Sequence, residues 1–178
     1  MRGTNFLSSI LTGTLVLGGV VTPIYATTKD HYETRQQQIF EETREEERKQ
    51  THCLALNVYY EARSSNLADK AAVADVVINR SLDRRYPATL CAVVEEGYIA
   101  GRKDCQFSWF CDGKSDDPVD LDRWNEAQTI AYSMLEYGQY RGITEGATHY
   151  HATYVDPYWA DSLQMVGTIG AHVYYRWD

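Results

Sequence analysis

The chain is short of positive charge. Its 17 Lys and Arg stand against 25 Asp and Glu, a formal net charge of −8. A nucleic-acid binder needs a basic face to neutralise phosphates, and none is visible, so nucleic acid is excluded as a partner. Cysteine is scarce: Cys53, Cys91, Cys105 and Cys111 are the whole set, and no two form a C-x-x-C pair. That argues against a structural zinc site. Without a Gly-x-Ser-x-Gly elbow, Ser108 lacks the strained turn on which a hydrolase nucleophile sits. No internal repeat or low-complexity tract is present, which excludes repeat architectures. What remains is a chain of 178 residues, 44% hydrophobic, enough for one ordinary domain and a leader.

The first 28 residues carry a single charge, Arg2, followed by an apolar, Gly-, Ser- and Thr-rich run from Phe6 to Val21 and then Pro23-Ile24-Tyr25-Ala26. This pattern predicts an export signal over residues 1–26, cut after Ala26. A retained signal anchor is the alternative, because the uncharged stretch from Gly3 to Thr28 exceeds the roughly 20 residues that span a bilayer. Export places the protein in the periplasm or outside the cell, with the leader as its one membrane contact. Thiols there oxidise. Of three possible pairings, we favour Cys105–Cys111, closing a short loop, and Cys53–Cys91, tying two helices together.

Residues 27–50 are rich in Glu, Gln and Arg and predict a charged linker or solvated helix. The catalytic domain is expected over 51–178, as a monomer. Apolar spacing predicts a helix through Glu61, a buried helix over 69–82 with Asp75 as its oddity, and a short helix over 88–96 with Thr89 near its start. A fourth helix, capped by Asp120 or Asp122, carries Trp124, Ala127, Ile130, Ala131, Met134 and Leu135 on one side and stops at Gly138. Between them, 101–118 reads as a loop or short strand. Aromatic and β-branched residues over 147–155 and 170–177 suit strands of a small sheet. Helices first and strands after give an α+β fold.

Glu61 stands at the end of an apolar helical pattern, beside Leu54, Ala55, Val58 and Ala62. Burial and the negative end of the helix dipole both disfavour its ionised form. A carboxyl kept neutral near pH 7 suits glycosidic cleavage, in which the leaving oxygen is protonated as the bond breaks. Further on, the thirteen positions from Ala147 to Trp159 hold His149, Tyr150, His151, Tyr154, Tyr158 and Trp159. Such rings stack on pyranose faces, while Gln106, Ser108 and imidazole nitrogens bond hydroxyl and acetamido groups. The rival readings are a zinc amidase or peptidase using His149, His151 and His172, and a carbohydrate-binding module without catalysis.

Taken together, YYEARSS, AVADVVINR, CQFSWFCDG, ATHYHATYVDPYWA and IGAHVYYRW resemble the SleB-type cell-wall hydrolase family, over residues 53–177. The four cysteines are similar to those of exported members from Gram-negative bacteria and their phages. The resemblance implies a lysozyme-like α+β fold and cleavage of the β-1,4 bond between N-acetylmuramic acid and N-acetylglucosamine in peptidoglycan. It implies a lytic transglycosylase outcome, with 1,6-anhydro ends and Glu61 as the one catalytic acid. Ordinary muramidase or glucosaminidase hydrolysis is the alternative. The family's motif positions correspond to Gln106, Phe107, Ser108, His149, Tyr150, Trp159 and His172. With Trp109 and His151, these are expected to bind substrate; no cofactor and no metal are implied. Two positions depart from the pattern: Ser65 stands where the family usually has glutamate, and Asp69 where it has glycine. Asp69 is expected to cap the second helix instead.

Overall fold

A computed structural model of the chain describes residues 24–100, 102 and 105–178. Most of the expected leader, residues 1–23, lies outside them. The chain divides into a unit ending at Phe40 and a second unit, Glu41–Asp178, which carries the core. No helix among the described residues is long and apolar enough to cross a membrane.

Helix α1 runs over Ile24–Ala62. No Gly or Pro interrupts it, and from Glu41 to Gln50 its Glu, Arg, Lys and Gln are good helix formers. Arg48 pairs with Glu45 at 2.6 Å, and Gln50 donates to Glu46 at 2.6 Å. From Cys53 onward one face turns inward, burying Leu54, Ala55, Val58, Tyr59 and Ala62. Within the second unit, the charged residues from Glu41 to Gln50 and the Glu61 segment lie on the same helix.

Helix α2, Leu67–Leu82, is capped by Asn66, whose side chain accepts from the Asp69 N–H. Asp69 is therefore not the cap. Its own carboxylate is free to turn to the sheet. Fully buried Ala71, Ala72, Val73, Ala74, Val76 and Val77 make α2 the central helix, and each buried Val contributes about 1.5–3 kcal/mol. Asp75 is also fully buried, and the loop after α4 satisfies it. It accepts from Arg141 Nη1 (2.9 Å), the Gly142 N–H (3.1 Å), the Thr144 N–H (3.2 Å) and Thr144 Oγ1 (2.6 Å).

Helix α3 is short, Leu90–Val94, with Thr89 as its cap. The segment read as loop or short strand holds a turn of 3-10 helix, Ser108–Cys111, and no strand among its described residues. Helix α4, Leu121–Tyr137, starts at Asp120 and ends at Gly138, whose φ of 64° is left-handed. It buries Ala127, Ile130, Ala131 and Met134, whereas Leu135 remains 38% exposed. Disulfides join Cys53 to Cys91 and Cys105 to Cys111.

The architecture is α+β: helices first, then an antiparallel sheet of three strands, β1 (His149–Ala152), β2 (Gln164–Ile169) and β3 (His172–Arg176), in the order β1-β3-β2. Strand β2 was not expected from the sequence. Register decides the faces, because residues opposite each other point the same way. Tyr150 faces Tyr174 and Ala152 faces His172, on one side; His149 faces Tyr175 and His151 faces Val173, on the other.

Candidate active site

Glu61 stands in the last turn of α1, which closes when Ser65 N–H bonds the Ala62 carbonyl. Tyr150, reaching from β1, donates its phenol proton to Glu61 Oε2 at 3.0 Å. Burial raises the Glu61 pKa above the ordinary carboxylate value, against the opposing pull of the Tyr150 hydrogen bond and the His172 and Arg80 charges. Burial wins. The Tyr150 phenol is itself driven well above its usual range by its enclosure and by the Glu61 charge, so it remains a donor.

Arg80, near the end of α2, is 2% exposed. Its Nε donates to the Thr148 carbonyl at 2.7 Å, and its guanidinium lies 5.5 Å from the Tyr86 ring centroid and 5.4 Å from that of Phe107. The Gln106 amide oxygen accepts from both terminal nitrogens at 3.2 Å. Burial lowers the Arg80 pKa, and Tyr150, Tyr86, Glu96 and Glu61 hold its charge in place. Arg80 thus joins the Glu61 pocket to the Cys105–Cys111 loop. Its signal in the sequence is a lone arginine closing an apolar helical run.

On the same face of the sheet, His172 Nδ1 lies 2.8 Å from Asp69 Oδ1. Tyr174 donates to that oxygen at 3.1 Å and the Ala171 N–H to Oδ2 at 3.0 Å. Burial alone would raise the Asp69 pKa, but the His172, Ala171 and Ser65 hydrogen bonds outweigh it and hold it at about 2.

The opposite face carries a second cluster. His149 packs against Trp159 (5.4 Å) and Trp177 (5.3 Å), and His151 stacks on Tyr175 (5.3 Å). Burial, then the Arg80 and Arg85 charges, lowers the His149 pKa to about 4. The zinc reading fails on this geometry: His149 and His151 share a face, His172 projects from the other, and Asp69 occupies its Nδ1. Among the described residues, no group of three His, Cys, Asp or Glu side chains could hold a metal ion.

Of the residues expected to bind substrate, Tyr150 and His172 stand beside Glu61, with Gln106 reached through Arg80; Ser108 is exposed nearby in sequence. Phe107 and Trp109 are placed differently. They are only 3% and 8% exposed, Phe107 beneath Arg80 and Trp109 stacked on Tyr60 at 4.6 Å, so they pack the core rather than present ring faces. Tyr154 and Tyr158, by contrast, are 88% and 95% exposed.

A search of curated proteins returned no match. Among solved structures, the catalytic domain of the Bacillus cereus SleB protein aligns with a TM-score of 0.54 at 21% identity, covering 72% of this chain and 91% of that one. The catalytic domain of the germination-specific lytic transglycosylase SleB from Bacillus anthracis aligns with a TM-score of 0.52 at 20% identity, covering 71% and 93%. Both likenesses show the fold. The sequence pattern described as Cell Wall Hydrolase matches residues 64–175, beginning just after Glu61. With more than half its length matched in this way, the chain belongs to the cell wall hydrolase family.

Proposed function

We propose that the protein is an exported lytic transglycosylase that cuts the β-1,4 bond between N-acetylmuramic acid and N-acetylglucosamine in peptidoglycan, with Glu61 as its single general acid and base. The observation that carries this reading is the half-buried Glu61 carboxyl, its pKa raised by burial and one oxygen fixed by Tyr150. Among the described residues, the groups that act most on it are a phenol, an imidazole and a guanidinium. Ordinary glycosidases pair two carboxyls about 5–9.5 Å apart, one of them to attack or to activate water.

One carboxyl suffices when the sugar supplies its own nucleophile. Neutral Glu61 gives its proton to the glycosidic oxygen as the bond from the muramic acid anomeric carbon breaks, and N-acetylglucosamine departs as the alcohol. The resulting carboxylate takes the proton of the C6 hydroxyl as that oxygen bonds the same anomeric carbon, closing the 1,6-anhydro ring. Glu61 ends protonated, ready for another cycle. Arg80 and His172 act on Glu61, and exposed Gln106, held by Arg80, is the group that would meet the sugars; the leader motivates placement outside the cytoplasm.

Mass spectrometry of digested sacculi tests this. Anhydro-muropeptides are expected from the full chain, and Glu61→Gln should abolish them. Reducing ends would show hydrolysis, and an undiminished Glu61→Gln variant would remove Glu61 from the chemistry.

A further inference from the structure

Asp69 has more partners than a structural carboxylate at a helix start needs. It is fully buried in the first turn of α2, where the helix dipole favours an anion. The turn between β2 and β3 is moulded around it. Gly170 there has a φ of +58°, and a Cβ at that position would lie 2.5 Å from the Asp69 Cβ. Only glycine lets the turn come this close, and the approach delivers the Ala171 N–H to Oδ2. The next residue, His172, then meets Oδ1 through Nδ1 at 2.8 Å. The imidazole stands at 80° to the Tyr150 ring, centroids 5.2 Å apart, and Tyr150 holds Glu61 at 3.0 Å.

We propose that Asp69 is a positioning residue for Glu61: it fixes His172 in the tautomer with its proton on Nδ1 and holds that ring against Tyr150, so that the hydrogen bond on Glu61 is positioned from the Asp69 side of the site. The inference rests on the reading of Glu61 as the general acid and extends it to a residue that touches no substrate.

The charges around the relay are few. Facing Glu61 are Tyr150 from β1, His172 from β3 and Arg80 from α2. Facing Asp69 are His172, Tyr174, the Ala171 N–H and the Ser65 hydroxyl. Asp69 bonds His172, His172 packs against Tyr150 and Tyr150 bonds Glu61, so its influence passes through those two side chains. Without Asp69 the imidazole loses the acceptor that fixes its ring against Tyr150, and the Tyr150 hydrogen bond that favours ionised Glu61 is weakened. Glu61 then holds its proton to higher pH.

The test is the pH profile of kcat/KM on purified sacculi, with the full chain. Asp69→Asn should move the alkaline limb up by roughly one pH unit. His172→Gln should move it the same way, and adding Asp69→Asn to His172→Gln should move it no further. An alkaline limb in Asp69→Asn that coincides with the parent's overturns the proposal, as does an additive shift in the double variant. A second measurement needs no variant: 15N NMR of the histidine-labelled protein should find neutral His172 protonated on Nδ1. Protonation on Nε2 overturns the proposal even if Asp69→Asn does not fold. The general-acid reading stands or falls separately on Glu61→Gln, since the tautomer is independent of it.

Discussion

Tyr150 and Glu61, 89 residues apart in sequence, meet through one hydrogen bond of 3.0 Å between the phenol and Oε2. That bond has two effects with different signs. It steadies one carboxyl oxygen, which would favour the general-acid role proposed for Glu61, and it stabilises the ionised form, which would oppose that role. Tyr150→Phe separates them. The variant should lose about tenfold in kcat, since orientation through one hydrogen bond amounts to roughly 1.4 kcal/mol. Its alkaline limb should also move to higher pH, because Glu61 keeps its proton longer without the donor. A pH series of turbidity loss reads both; a limb displaced to lower pH would contradict the assignment.

Acid should destabilise the fold in two stages. His149 has its pKa lowered from 6.5 to about 4, so between those values the unfolded chain binds a proton that the folded one refuses. Stability therefore falls as pH drops through that window. Asp69 follows: its pKa is depressed from 3.8 to about 2, and the stability it supplies, present above pH 3.8, is lost as pH falls toward 2. Because Asp69 is fully buried, that loss is about 2 kcal/mol. Urea unfolding at pH 7, 5 and 3 would show both stages. His149→Phe should flatten the first and leave the second.

The helical half of the fold was readable because each helix carries its own punctuation. Thr89, Asp120 and Gly138 sit where caps belong, and the apolar run of α2 admits no other structure. The place of Glu61 at the end of a buried helix face was readable for the same reason. The rest needed contacts that no local pattern encodes. Strand β2 is mostly exposed or half-buried and interrupted by Gly167, where the register slips by a bulge, so its period-2 signal is blurred. Asp69 resembled a cap because caps and buried acids occupy the same helix turn; the hairpin that claims it lies 102 residues on. Aromatic density over 147–159 was legible, but only the strand register divides those rings between two faces.

Asp75 makes a stability prediction remote from the chemistry. Its four hydrogen bonds hold the loop from Gly138 to β1 against the buried side of α2. Asp75→Ala leaves the Gly142 and Thr144 N–H groups and the Arg141 charge without that acceptor. The expected cost is about 3 kcal/mol, a fall in Tm of roughly 6–12 °C by calorimetry. Activity of the folded variant at low temperature should be retained, since no Asp75 atom approaches Glu61 through these contacts. A change below 1 °C would mean that the loop is held some other way.

The two disulfides should separate stability from substrate binding. Cys53–Cys91 closes a span of 38 residues and Cys105–Cys111 one of 6, so chain entropy assigns them about 4 and about 2 kcal/mol. Cys53 lies more than two helical turns before Glu61 on α1, about 12 Å along the axis, and its partner is on α3. Losing that bond should lower Tm by roughly 8–16 °C while KM changes little. The shorter loop carries Gln106, whose amide faces the Arg80 guanidinium, and exposed Ser108. Replacing Cys105 and Cys111 with Ser should therefore raise KM several-fold with the smaller loss of Tm. If the ranking is reversed, so that the Cys53–Cys91 variant loses affinity and the Cys105–Cys111 variant loses stability, then the loop is scaffold and the substrate groove lies elsewhere.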